Sequence, residues 1–320
     1  MTRALVTGAA GFVGQWLCRE LLHQGWQVSG TVFGDVVPNG ALSLDERRSV
    51  RWIGADVRQP SDIARMLDEI RPDTIFHLAG VAFVPAANAD PGAALDVNVV
   101  AAARLLADVR ARRKAGTLDP VVLVVGSGEQ YGRHEAAEIP LDEQAEQRPL
   151  SVYAASKAAQ EVVALEAFRS DGVRVITTRS FNHSGAGQAD HFLLPALVKR
   201  ALALRGAWEQ SLVLGNTTPV RDFLHVADVA RAYVLLAERG TPGESYNVAS
   251  GRGVDVATVA QRVLALTGVD AKLQSDPALV RPVDVPVSIG DPGKLCAATG
   301  WGATLSLDTI IEDLIRATTH

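Results

Sequence analysis

The chain has 320 residues, 48% of them hydrophobic and 21% charged, and a formal net charge of -5. That balance excludes a disordered or fibrous polypeptide, and the lack of a basic stripe argues against a nucleic-acid partner. No apolar run approaches the roughly eighteen residues needed to span a bilayer. The amino-terminal MTRALVTGAAGFVG enters a strand with no export signal ahead of it, so a cytoplasmic protein without a membrane partner is expected.

Strand-like runs at residues 4–7, 27–32, 51–55, 74–78, 121–125 and 173–178 alternate with helical patterns at 12–24, 61–70, 91–113 and 152–170. Helices of that length serve as crossovers, so the rhythm predicts an α/β fold with a doubly wound parallel sheet, Rossmann-like. The basic run Arg110, Arg112, Arg113, Lys114 reads as a helix end. Beyond Phe181 the pattern loosens into pieces such as GNTTPVRDF and RGTPGE, which predicts a smaller C-terminal α/β lobe. The division expected is 1–180 for a dinucleotide-binding domain, with some later segments returning to it, and 181–320 mainly for a substrate-binding lobe. Cys18 and Cys296 lack metal or redox spacing and read as buried thiols, and no metal site is expected.

The segment ALVTGAAGFVG sets Gly8, Gly11 and Gly14 between an apolar strand and an amphipathic helix that opens with Phe12 and Val13. Glycines let the backbone turn tightly and approach a pyrophosphate, whose charge then meets the helix N–H groups. Gly14 also suits close packing of helix on strand. At the tip of the second strand a carboxylate favours the ribose of NAD, and a cation favours the phosphate of NADP. Asp35 lies just past that tip, and no Lys or Arg occurs between Arg19 and Arg47. NAD(H) is therefore favoured, with NADP(H) as the alternative if Arg47 or Arg48 folds back over the site. Asp56 and Val57 at the third strand end, and Leu78, Ala79 and Gly80 at the fourth, fall on the ligand-bearing edge of such a sheet. Asp56 is suited to accept from the adenine amino group, and His77 reads as a packed strand residue.

In SVYAASKAAQE, Tyr153 and Lys157 stand four residues apart and share a helix face. A tyrosine near pKa 10 exchanges protons poorly at pH 7, and an adjacent ammonium would lower it. Lys157 supplies that charge and can also reach the nicotinamide ribose. Ser127, past the fifth strand, can orient a substrate oxygen.

On GAAGFVG, YAASK and VVGSGEQYG the chain resembles the extended short-chain dehydrogenase/reductase family that modifies nucleotide sugars, over almost its whole length. The strings RSFNHSGAGQ, LVLGNTTPVRDFLHVADVARAY, YNVASG and RPVDVPVSIGDPGKL most resemble the GDP-4-keto-6-deoxy-D-mannose reductases, which form GDP-D-rhamnose. The resemblance implies that Asn182, Lys199, Arg221 and Arg281 hold a nucleotide-diphosphate sugar, with the arginines on its diphosphate. Arg221 could instead pair with Asp222 or Asp228. A homodimer through the helices at 91–113 and 152–170 is implied in the same way. Related 4,6-dehydratases carry an acid or hydroxyl between the serine-like residue and the glutamate. Here Gly128 stands between Ser127 and Glu129, so a dehydratase would leave Glu129 to carry both proton transfers. A C4 epimerase would use the same Tyr153. A non-catalytic dinucleotide sensor would show a broken Ser, Tyr or Lys, and all three are present.

Overall fold

The computed structural model describes residues 1–34, 40–206, 211–279 and 285–319. Its main sheet is built from β1 (Arg3–Thr7), β2 (Gln27–Val32), β3 (Arg51–Gly54), β4 (Thr74–His77), β5 (Val121–Ser127) and β6 (Val175–Ser180), joined much later in the chain by β10 (Ser245–Val248). All pairings in it are parallel, in the order β10-β6-β5-β4-β1-β2-β3. The winding direction reverses between β1 and β4, and a crevice opens there beyond the carboxyl ends of the strands.

Helices cover both faces because each presents an apolar stripe. In α3 (Pro60–Ile70) the buried residues are Ile63, Met66, Leu67 and Ile70, at the spacing of one helix face. Each such side chain contributes roughly 1.5–3 kcal/mol on burial. They join Leu105, Leu106 and Val109 of α6 (Ala101–Lys114), and Ala164 and Ala167 of α7 (Val152–Asp171), on one side of the sheet. On the other side α1 (Phe12–His23) packs with α9 (Val226–Arg239) through Leu17, Cys18, Leu21, Val229 and Tyr233. The second half of the chain therefore returns a strand and a helix to the main body.

A separate core of Leu194, Leu197, Val198, Val259, Val263, Ile310 and Leu314 holds the lobe formed by α8 (Leu193–Ala203), α10 (Val256–Thr267) and α12 (Leu307–Thr319). Its strands are short. β9 (Val220–His225) pairs with β7 (Asn182–Ser184), β11 (Gly253–Asp255) and β13 (Val287–Ser288), and β8 (Ser211–Leu214) pairs with β12 (Lys272–Ser275).

The predicted strands all appear, with ends displaced by up to two residues; β5 runs on to include Ser127. The predicted helix over 91–113 is interrupted. α5 (Pro91–Leu95) leads into a single wide turn over Asp96–Val100 before α6 begins, because the buried Asn98 turns inward to bond a loop. Such wide turns frequently sit at functional sites. The basic run does close α6, with Arg112, Arg113 and Lys114 in its last turn. Cys18 is buried, its thiol pushed up to about 12 by loss of solvent, whereas Cys296 is only partly buried, contrary to the expectation for both.

Candidate active site

The glycine turn sits at the β1–β4 switch point. Gly8 has φ 72°, and a Cβ there would lie 2.8 Å from the Ala79 nitrogen at the end of β4. Gly14 tolerates no side chain, since its Cβ would meet the Gly8 oxygen at 2.2 Å, so its part is close packing of helix on turn. At Gly11 the space is more open. Gly11 caps α1 without a side-chain hydrogen bond, which leaves the first N–H groups, those of Phe12 and Val13 included, for a ligand. The turn is fixed from beneath: the Gly8 N–H donates to Thr31 Oγ1 at 3.0 Å, and Thr7 Oγ1 accepts from the Ala79 N–H at 3.3 Å. A glycine cradle facing uncapped helix N–H groups, with no acid in the first helical turn, fits a dinucleotide pyrophosphate.

Around the turn, Val57 is buried, Leu78 and Ala79 are partly buried and Gly80 is exposed at the crevice, as their places on the strand ends require. His77 is fully buried and its Nδ1 is 2.9 Å from Thr7 Oγ1. Burial, helped by the Lys157 charge, depresses it to about 3, so it is a neutral packed residue. Asp56 differs from expectation. Both its oxygens are engaged by the Arg58 side chain, at 2.8 to 3.1 Å, which holds the carboxylate well below its ordinary range. Asp35 lies outside the described residues. Arg48 stays on α2 (Leu44–Ser49), exposed and 3.6 Å from Asp45.

The second wall is formed by the end of β5 and the start of α7. Ser151 caps α7 by accepting from the Ala154 N–H at 3.1 Å, so Tyr153 falls in the first turn and Lys157 one turn deeper. Tyr153 is partly exposed to the crevice, and the Ser127 side chain is the hydrogen-bonding neighbour of its phenol. Its proton affinity is raised by loss of solvent, and further by the charge of the exposed Glu129. Lys157 is buried; its ammonium donates to the Val125 carbonyl at 2.8 Å and to Gln160 Oε1 at 2.9 Å. Burial lowers it to about 8. The expectation that Lys157 lowers the phenol is therefore not met here: the ammonium points at the strand carbonyl and Gln160, and desolvation governs Tyr153. Burial thus leaves Tyr153 a protonated acid.

Gly128 leaves only a tight space for a side chain. A Cβ there would lie 3.0 to 3.1 Å from the Phe181 ring, which is itself stopped by Gly290, where a Cβ would lie 2.3 Å from it. Behind the loop, Gln130 accepts from the Ser127 N–H at 2.7 Å and donates to Glu161 of α7 at 3.1 Å. Glu161 forms a buried two-pronged pair with Arg179 of β6, at 2.6 and 3.0 Å. This network ties the Ser127 loop to the helix that carries Tyr153 and Lys157.

The sequence reading missed Asn98, whose carboxamide fixes both polar groups of Val81 at 2.8 and 3.2 Å and donates to Ser156 at 2.8 Å. It thereby holds the strand-end loop at Gly80 against α7. Its signal in the sequence is weak, a single amide within an apolar helical stretch.

The substrate-lobe candidates are more dispersed. Asn182 is partly buried on β7, its amide 3.4 Å from the Asp222 carbonyl. Arg221 on β9 donates to the carbonyls of Val220 and Val285, at 2.9 and 2.7 Å. The acids offered as its partners are occupied elsewhere: Asp222 accepts from Ser250 and Gly251, and Asp228 pairs with Arg231 and caps Thr304 and Leu305. Lys199 is exposed and paired with exposed Asp190. Arg281 lies outside the described residues.

A glycine cradle at the switch point of a parallel sheet, faced by Ser127, Tyr153 and Lys157, defines a dinucleotide-dependent oxidoreductase of the short-chain type. Residues 5–314 match the family model described as GDP-mannose 4,6 dehydratase, and the chain belongs to that family of extended short-chain dehydrogenase/reductases, whose members are NAD(P)-dependent nucleotide-sugar enzymes. It is 30% identical over 316 residues to the GDP-6-deoxy-D-mannose reductase of Pseudomonas aeruginosa strain PAO1, covering 98% of this chain and 96% of that one. Among solved structures it resembles the Pseudomonas aeruginosa RMD complexed with NADPH, with TM-score 0.82 and 28% identity over the whole of both chains. A UDP-glucose 4-epimerase from Thermotoga maritima, solved with UDP-glucose, superposes with TM-score 0.87 at 25% identity, covering 99% of this chain and 98% of that one. No helix among the described residues is long and apolar enough to cross a membrane.

Proposed function

We propose that the protein reduces the C4 keto group of GDP-4-keto-6-deoxy-D-mannose to give GDP-D-rhamnose. The observation that carries this reading is Gly128, hemmed in by Phe181 where a dehydratase needs a further acid or hydroxyl. The likeness to a GDP-6-deoxy-D-mannose reductase supports it.

Gly8, Gly11, Phe12, Val13 and Gly14 would hold the dinucleotide pyrophosphate, Val57, Leu78, Ala79 and Gly80 its adenosine side, and Lys157 its nicotinamide ribose. When bound, a reduced nicotinamide supplies a hydride to the C4 carbon. Ser127 orients the C4 oxygen, and Tyr153 gives its phenolic proton to that oxygen as the carbonyl π electrons become an O–H bond. One hydride and one proton convert one ketone to one alcohol. A phenol whose pKa burial raises is protonated at neutral pH, which suits this direction. Glu129, exposed beside Tyr153, is the residue on which a dehydratase would have to rely.

The segment after residue 180 is then mainly the sugar-nucleotide lobe, with Asn182, Lys199 and Arg221 as its polar contacts. Arginine suits the diphosphate because its planar fork matches paired oxygens. We place a homodimer within the same proposal, since Leu95, Val100 and Val162 keep large apolar side chains exposed on the α5–α7 segment.

The test is incubation with GDP-4-keto-6-deoxy-mannose and NADH or NADPH, following the reduced cofactor and the configuration of the product at C4. One cofactor oxidised per sugar, with the rhamno product, is expected. Conversion of GDP-mannose to the keto sugar without added reduced cofactor would overturn the assignment in favour of a dehydratase.

A further inference from the structure

Two residues on one face of α1 reach across to the segment that begins with Asn182. Phe12, at the opening of the helix, stacks on His183 with ring centroids 6.3 Å apart, and Trp16, one turn further on, donates its indole N–H to the Ala186 carbonyl at 2.9 Å. The Ala186 N–H is taken from the other side by Asp313 Oδ2 of α12, at 2.8 Å. Both backbone polar groups of Ala186 are therefore held, one by the dinucleotide helix and one by the lobe. Ile310 and Leu314 anchor α12 in the lobe core, which makes Asp313 a fixed point. His225 closes the junction. Its Nδ1 accepts the Ala227 N–H at 3.0 Å, so the ring proton sits on Nε2, which faces Asp313 Oδ2 at 3.5 Å, and the ring meets that of Trp16 edge-on at 5.3 Å. Gly185 is pressed onto the start of α9, where a Cβ would lie 2.7 Å from Val226 Cγ1.

We infer that Trp16 and Asp313 are positioning residues for the sugar nucleotide, which fix Ala186 from both sides and thereby set Asn182 in the crevice. The inference rests on the reading of Asn182 as a sugar-nucleotide contact. β7, which carries Asn182, is only three residues long, so the loop behind it decides where that side chain stands. Within the loop, Ser184 Oγ donates to Gln188 Oε1 at 2.5 Å and Gln188 Nε2 donates to the His183 carbonyl at 3.1 Å, so a displacement at Ala186 passes back along β7. Removing either clamp leaves a backbone group of Ala186 without its partner, a loss large enough to move a ligand affinity by about tenfold. The expected signature is crossed: Trp16 belongs to the helix that seats the dinucleotide, yet it acts on the other ligand.

Calorimetric titration with GDP reads the sugar-nucleotide side, and titration with NAD⁺ and NADP⁺ reads the dinucleotide side. Trp16→Phe keeps a ring against His225 and loses the indole donor, and Asp313→Ala loses the acceptor. Each is expected to weaken GDP binding about tenfold while dinucleotide affinity stays within about twofold. Asp313→Asn retains a carbonyl oxygen for the Ala186 N–H and should bring GDP binding back to within about threefold of the wild type. Arg316→Gln removes only an exposed partner of Asp313 and should change neither affinity. A lowered unfolding midpoint with both affinities kept would overturn the inference, because that is all a purely structural junction would show. An equal loss of both ligands, or Asp313→Asn as damaging as Asp313→Ala, would overturn it as well. Trp16 and Asp313 approach Ala186 from different helices, so if one variant does not fold the other decides. Wild-type protein that binds no GDP would overturn the inference together with the sugar-nucleotide reading, whereas GDP binding that the variants leave intact overturns the inference alone.

Discussion

The two walls of the crevice are built on opposite principles. On the dinucleotide side, the loop after β5 is bonded to the middle of α7 and to β6 through Gln130, Glu161 and Arg179, all buried, and Lys157 is held by two acceptors. On the lobe side, Lys199 is exposed and tied to Asp190, and Arg221 rests on backbone carbonyls. The chemical wall is assembled in advance, whereas Lys199 of the lobe is held by an exposed acid that a diphosphate can replace. A group that must move a proton within hydrogen-bond reach gains from rigidity. A group that must capture and release a large charged ligand gains from exchangeable partners.

The comparison breaks most readily at Tyr153. Tyr153→Phe is expected to lower kcat by about 10²–10⁴ while cofactor affinity, measured by titration, stays within about twofold. A variant that kept its kcat would remove the chemical wall from the mechanism. Next in size is the buried pair. Glu161→Gln or Arg179→Met alone should cost about 3–5 kcal/mol in denaturant unfolding, because each strands a polar partner without solvent, whereas an apolar double replacement should recover much of the loss. If the single variants were silent, the claim of a pre-assembled wall would fail.

A pH series sharpens the same contrast. Folded His77 stays neutral down to about 3, and unfolded it takes a proton near 6.5. Between those values the unfolded chain binds more protons, so stability should fall as pH drops from about 6.5 towards 3, by an amount of the order of a few kcal/mol. His77→Gln should flatten that slope in unfolding experiments run across the window. Smaller effects are expected from the lobe. Arg221→Gln should raise KM for the sugar nucleotide by about tenfold with little change in kcat, and Asp190→Asn should alter stability by less than about 1 kcal/mol. A kcat effect at Arg221 as large as that at Tyr153 would mean the lobe shares in the chemistry.

Much of the fold was legible because it rests on local periodicity. The alternation of strands with crossover helices, the glycine turn between β1 and α1, and the Tyr153–Lys157 spacing all follow from contacts between residues close in the chain. Ser127 was legible for the same reason, as the polar end of an apolar strand. The parts that were not legible depend on residues distant in sequence. Asn98 interrupts its helix because Val81 and Ser156 offer it partners across the crevice, 17 and 58 residues away. Asp56, read from its strand end as an adenine acceptor, is taken by Arg58, whose guanidinium stacks on Phe33 just past the end of β2.

The sequence by itself determined the class of sheet, the glycine turn at its switch point and the sharing of one helix face by Tyr153 and Lys157, since those need only a strand, a turn and one helix. Tertiary structure alone decided the charge environment. Lys157 was expected to tune Tyr153 because the two share a helix face, but packing aims its ammonium at Val125 and Gln160 and leaves burial to set the phenol. Charges act through space and through the solvent that packing removes, and neither distance nor desolvation is written in the spacing of residues along a chain.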